Sequence, residues 1–297
     1  MDSKKILDPI SDTIELVKSD FFNIYKKMAM LEVTAMFIVI IAIIIAMLPF
    51  LVGVINFTAP LDWIIIAVVI LFAIIVIVIG AFIANIIESI KYNVARDSYN
   101  KKETNMVDKF GENAWPIIKY DAFMFLISFV LMLPFLVIYF VLISGAYVVS
   151  MGASTDILAR LVELLFRIVM TIVSAIISFF LQFAIFEIII GKNGTIESIK
   201  RSYQIVRNNF IETFIFSLLL GAITSAVGIA LMIIIVIIIG ILFVIGFLLS
   251  TVLSGIALAL VVSILVIIGL VIIVAVSAVS YTISIPCRYQ YWKGIRK

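Results

Sequence analysis

The chain has 297 residues, of which 65% are hydrophobic and 13% charged, with a formal net charge of +3. A soluble domain carries roughly 45–50% apolar and about 25% charged residues, so the surplus apolar surface cannot hide in a soluble core and has to face lipid. Histidine is absent and cysteine occurs once, as Cys287, which excludes an internal disulfide framework, His-based zinc sites, the HExxH pattern and a Ser-His-Asp triad.

In chain order, residues 1–32 read as a cytoplasmic amphipathic segment carrying Lys4, Lys5, Lys18, Lys26 and Lys27. The first apolar run starts near Val33, too far from Met1 for the short apolar stretch of a secretory signal, and reads as a retained membrane helix. Runs long enough to cross a bilayer cover 33–55 and 63–87, with a turn at 56–60, and make a first hairpin over 33–87. A polar cytoplasmic segment follows at 88–119. The second hairpin, within 120–190, has runs at 122–149 and 161–190 around a turn at 152–156. Residues 191–210 form a second amphipathic cytoplasmic segment. From Phe210 to Arg288 the chain is almost uncharged; two long, tilted helices over 211–287, turning within 240–255, make the third hairpin before a tail at 288–297.

Charge sets the expected topology. Apart from Arg160 and Arg167, every Lys and Arg falls before the first run, in 88–119, in 191–209 or after Cys287. Cytoplasmic loops collect such residues, so all four regions belong on one side and the spans between them come in pairs. The prediction is an all-α, single-domain plasma-membrane protein with six transmembrane helices in three hairpins and both termini cytoplasmic. No P-loop of the form GxxxxGKS/T is present.

Two segments echo each other. TIELVKSDFFNIYKKM (13–28) and TIESIKRSYQIVRNNF (195–210) both open Thr-Ile-Glu and place a lysine five residues on, at Lys18 and Lys200. Ile14, Val17, Phe21, Ile24 and Met28 recur as Ile196, Ile199, Tyr203, Val206 and Phe210, a spacing that puts each set on one helical face. Interfacial helices are expected, apolar face in the headgroup boundary, with Lys18, Lys200, Arg201 and Arg207 toward anionic lipid or water; packing on the bundle is the plainer alternative. A third segment, NMVDKFGENAWPIIKY (105–120), stands in the same place before run three, with Met106, Phe110, Ala114 and Ile117 on a face that Gly111 and Pro116 would bend.

The order Gly191, Ile196, Glu197-Ser198-Ile199-Lys200-Arg201-Ser202-Tyr203, then Arg207-Asn208-Asn209-Phe210 entering the next span resembles the membrane domain attached to some prokaryotic glycerophosphodiester phosphodiesterases and related stand-alone six-helix membrane proteins. The resemblance implies a polytopic membrane domain of undefined activity. In those enzymes the hydrolase is a separate soluble barrel, for which this chain has neither room nor histidine, so phosphodiesterase activity does not carry over.

Polar side chains inside spans are costly and are functional candidates by default. Asn85, Glu88 and Ser89 end run two, Gln182 and Glu187 lie near the inner end of run four, and Ser277, Ser280, Tyr281, Thr282 and Ser284 near that of run six. Asn85, Glu88, Gln182, Glu187 and Tyr281 are the candidate cytoplasmic polar cluster, a headgroup or small-solute site; alternatively the two glutamates reach water or pair with Lys91, Lys192 or Arg288. Pro49 and Pro134 are expected to kink their helices, and Gly221, Ser225 and Gly228 to let run five approach a neighbour closely. Tyr289, Tyr291 and Trp292 beside Lys293 read as an interfacial anchor, and Cys287 as a thiol that would report topology from the cytoplasmic face.

These features predict a non-catalytic scaffold, assembly or lipid-organising protein, without metal or cofactor. Its expected partners are membrane lipids, anionic headgroups among them, and a second copy or another membrane protein; membrane placement explains the basic loops without nucleic acid. The alternative is a transporter or exporter of a small amphiphilic or hydrophobic substrate. An intramembrane enzyme using Glu88 and Glu187 has no motif behind it.

Overall fold

The computed structural model describes residues 3–54, 62–149, 155–250 and 255–296. Helices account for nearly all of them, and no strand occurs among the described residues: α1 (Ser3–Val54), α2 (Asp62–Tyr99), α3 (Met106–Val149), α4 (Thr155–Leu181), α5 (Ala184–Ile189), α6 (Thr195–Asn208), α7 (Phe210–Ser250) and α8 (Gly255–Ile295). Among the described residues six stretches are long and apolar enough to cross a membrane: Ile6–Leu48, Ala67–Tyr99, Met106–Val141, Glu163–Ile189, Phe210–Leu249 and Val261–Ile295. The expected turn at 56–60 and most of that at 152–156 lie outside the described residues, as do 251–254 in the third. α8 begins at Gly255 with φ +61°, a conformation that costs glycine little.

The chain forms two compact units, Met1–Ala114 with Asn209–Lys297, and Trp115–Asn208. In the first, α1 packs along α2 and α8, α2 touches α8, and α7 lies against α8. Ile24, Met28, Val94, Phe216, Tyr291 and Trp292 form its fully buried core. They come from the middle of α1, the second half of α2, the start of α7 and the end of α8. The remaining lengths turn large apolar side chains outward, such as Ile74, Ile233, Phe243 and Val266. A helix of 41 residues such as α7 is about 60 Å long at 1.5 Å per residue, twice the hydrocarbon thickness. Such helices have length to spare for protein packing beyond the lipid.

α1 is broken at Asp20 (φ −137°, ψ 28°). The break changes the register of the expected amphipathic face. Ile24 and Met28 are buried within the protein, as in the alternative of packing on the bundle, whereas Ile14 is exposed, and before the break the buried positions are Ile6, Pro9 and Thr13. α2 continues past the expected end at residue 87 to Tyr99, because Ile90, Val94 and Ala95 keep one face buried. The segment 105–120 is no separate helix: α3 starts at Met106, capped by Asn105 Oδ1 accepting from the Val107 N–H at 3.2 Å, and runs through Gly111, Pro116 and Pro134. Neighbouring groups in a membrane bundle can satisfy what proline leaves open.

The end of α8 departs most from expectation. Tyr289, Tyr291 and Trp292 are buried inside the protein rather than set at its surface. Tyr291 stacks on Phe216 of α7 with centroids 3.9 Å apart, and Tyr289 leans on Tyr99 of α2 at 5.8 Å. Cys287 is buried too, its Sγ 3.8 Å from the Pro9 carbonyl, so its thiol does not report topology from either face.

In the second unit α4 stops at Leu181 and α5 starts at Ala184. The buried Ser202 hydroxyl of α6 bridges this break, donating to the Phe180 carbonyl (2.8 Å) and accepting from the Phe183 N–H (3.2 Å). Backbone groups at a helix interruption need such partners. Tyr139 of α3 and Phe166 of α4 meet at 4.7 Å.

Close helix approach occurs at a different glycine from those expected. A Cβ at Gly221 or Gly228 would meet nothing within 4 Å, whereas one at Gly80 would lie 2.5 Å from the Ala42 Cβ. Ala35, Ala42 and Ala46 are buried along α1, the small-residue contact that lets helices touch in lipid. Gly80→Ala is expected to destabilise by about 1–3 kcal/mol, since neither Cβ can rotate away. Adding Ala42→Gly should recover most of the loss in thermal unfolding; a full-strength Gly80→Ala single variant would show that α1 and α2 do not meet there.

Candidate functional site

α2 carries the principal charged site. Its Ile86, Ile87, Ile90 and Val94 are buried, and that face draws Lys91 inward until its side chain is only 2% exposed. The ammonium donates to Glu32 Oε1 of α1, stands 3.9 Å from Glu88 Oε1 one turn back on its own helix, and lies 4.2 Å from the Tyr281 ring centroid on α8. One cation thus meets two carboxylates and an aromatic face from three helices. A lone lysine at such a depth would be costly; the carboxylates neutralise it and the ring adds a cation–π contact. Glu88 remains about half exposed and Tyr281 partly so. Asn85, one turn before Ser89, is exposed.

Glu88 and Tyr281 therefore share a neighbour, Lys91, whose main partner is Glu32. Glu32 had no place among the candidates. The signal for it lay in the spacing of Met28, Glu32 and Ala35, which puts a carboxylate on the same stripe as two buried apolar residues.

The other two candidates belong to the second unit. Gln182 lies at the α4–α5 break, partly exposed. Glu187 is fully buried on α5; the Asn193 side-chain amide donates to its Oε2 at 2.6 Å, and the Asn193 N–H to its backbone carbonyl at 3.1 Å. Glu187 thereby anchors the turn into α6, where Lys192 takes a positive φ of 56°. The basic residues Lys18, Lys200, Arg201 and Arg207 are exposed, and Arg201 pairs with Glu197 at 2.7 Å.

A second polar group surrounds the end of α2. Ser89, Asn93 and Asp97, four residues apart, are all buried. Ser89 Oγ accepts from the Asn113 amide at 3.0 Å. Asp97 organises the following loop: Oδ1 accepts from Arg96 Nε at 2.7 Å, Oδ2 from the Thr104 hydroxyl at 3.1 Å, and its carbonyl from the Lys102 N–H at 2.9 Å. The adjoining Tyr99 hydroxyl is 2.6 Å from Thr13 Oγ1.

Residues 94–291 match a family of unknown function (DUF7544). The chain belongs to DUF7544. No curated protein and no solved structure matches it. The DUF7544 match takes in Asp97 and its loop, Glu187, and α8 through Tyr291; Glu32, Glu88 and Lys91 lie before it. No group of three or more metal-ligating side chains gathers among the described residues.

Proposed function

We propose that this is a non-catalytic, multi-pass membrane protein with a lipid-organising role, built as three hairpins whose basic ends share the cytoplasmic side of the plasma membrane. The observation that carries the reading is the placement of α6. Its buried stripe is Ser198, Ser202 and Val206, while Ile196 and Tyr203, the apolar residues of its other side, are exposed. A helix that packs by Ser198, Ser202 and Val206 and leaves Ile196 outward, with Tyr203 half exposed beside Phe180, has that edge available for lipid. Lys200 and Arg207 stand one turn beyond Ile196 and Tyr203, where long basic side chains reach headgroups above a buried apolar edge.

The relation to membrane domains of glycerophosphodiester phosphodiesterases rests on the 191–210 motif and a loosely shared hairpin layout, and the proposal does not depend on it. The alternative, transport of a hydrophobic substrate, draws on an apolar cavity of about 500 Å³ between α7 and α8, where Gly246 and Gly269 leave room beside Leu265 and Leu242. The same cavity suits an acyl chain.

The test is native mass spectrometry of the protein gently extracted from its membrane. A stoichiometric lipid, weakened when Ile196 and Tyr203 are both changed to Asp, is the expected result. A lipid-free protein would sink the proposal. Substrate flux in reconstituted vesicles would move the reading to transport.

A further inference from the structure

A polar cavity of about 700 Å³ opens between the break in α1 and the loop joining α2 to α3. Its size falls within the range of small-ligand sites. One wall is the break, with Ser19, Asp20, Asn23 and Lys27; the other is Tyr99 with Lys101, Lys102, Glu103 and Thr104, so three lysines face two carboxylates and the lining keeps a net positive charge. Among the described residues no carboxylate pairs with the ammonium groups of Lys27, Lys101 or Lys102. By contrast, Lys91, Arg96, Lys109, Arg167 and Arg201 all have acidic partners.

The walls are built. The loop is tied back through the Asp97 carbonyl and carboxylate, and Tyr99 is held to Thr13 on the α1 side. Lys101 adopts φ +52°, a left-handed conformation that costs a residue with a Cβ and suits glycine. A lysine at that position keeps an amine at the mouth of the cavity at the expense of backbone ease. Across from Lys101 and Lys102, Asp20 is engaged by the Asn23 amide at 3.3 Å, and the Ser19 hydroxyl, which donates to the Leu16 carbonyl at 2.9 Å, keeps its lone pairs free to accept from a hydroxyl or amino group.

The geometry points to a binding site for a phosphate ester, its phosphate among Lys27, Lys101 and Lys102 and its hydroxyl- or amino-bearing end at Ser19, Asp20 and Asn23. Three unpaired ammonium groups suit the oxygens of one phosphate, and the volume takes a headgroup-sized molecule rather than a bare ion. The lipid-organising reading makes a phospholipid headgroup the source; a free phosphate ester has the same chemistry.

Lys101→Gly makes the test informative, because it removes an amine while relieving backbone strain, so lost binding cannot be ascribed to misfolding. The full chain would be purified with Lys101→Gly, Lys102→Gln, both combined with Lys27→Gln, Lys102→Arg, and Lys26→Gln, an exposed lysine on α1 outside the cavity. Retention of phosphatidylglycerol and of phosphate-free diacylglycerol is read by native mass spectrometry, and binding of glycerol 3-phosphate by calorimetry. We expect each single loss to weaken phosphatidylglycerol about tenfold, as befits one charged hydrogen bond, with Lys102→Arg and Lys26→Gln close to wild type and diacylglycerol unaffected. Lysine-dependent binding of glycerol 3-phosphate without phosphatidylglycerol would keep the site and overturn the lipid-organising reading. Phosphatidylglycerol held equally by every variant would overturn the site and leave that reading standing. Binding of neither probe overturns the site.

Discussion

Glu32→Gln together with Glu88→Gln should be the most damaging conservative change near α2, costing about 3–5 kcal/mol, because it leaves the Lys91 ammonium buried without a carboxylate. Glu32→Gln alone should cost less. Glu88 already stands 3.9 Å from the ammonium and can close on it when the nearer partner is removed. Lys91→Met leaves two carboxylates facing each other, but Glu88 is half exposed and can turn to water, so its cost should fall between these. The hydrophobic replacement Glu32→Leu with Lys91→Met removes both buried charges and should recover most of the stability lost by either single change, as buried ion pairs often do on wholesale replacement. Thermal unfolding in one detergent ranks the four variants. Equal stability of Glu32→Gln and the Glu32→Gln, Glu88→Gln pair would mean that Glu88 does not share the lysine.

That site was only half legible in the sequence. The spans were readable because each is an uninterrupted apolar run, and Glu88 and Tyr281 were readable as polar groups near span ends. Which faces pack was not. In α7 and α8 Ile, Leu and Val run all the way round the helix, so nothing in their periodicity distinguishes a lipid face from a protein face. Glu32 was masked by its position among other charges, although its spacing from Met28 and Ala35 pointed inward. The break at Asp20 has neither proline nor glycine to announce it. The polar cavity needs that break, the loop after Tyr99 and the Asp97 bonds together, and no local pattern encodes a meeting of residues so far apart in the chain.

Tyr291 separates two physical descriptions of the end of α8, and replacing it by alanine is expected to cost about 3–5 kcal/mol, the range for truncating a large aromatic in a core. An aromatic beside a lysine after a long apolar run looks the same from the sequence whether it sits in the headgroup zone or inside the protein. At the interface, its loss would change depth in the membrane and little else. Here Tyr291 is fully buried, lies nearly parallel to Phe216, and has its hydroxyl 3.1 Å from Thr213 Oγ1. Thr213 and Phe216 are three residues apart on α7, so one face of that helix receives both the ring and its hydroxyl. Tyr291→Phe keeps the stack and removes one hydrogen bond, for about 1 kcal/mol; adding Thr213→Val removes the stranded partner and should return part of that. The ordering discriminates better than any single value: alanine well below phenylalanine in unfolding temperature, with the phenylalanine loss partly repaired through Thr213, requires that α7 and α8 close over this ring. Alanine and phenylalanine variants of equal stability would return Tyr291 to the surface and, with it, the case for an anchor.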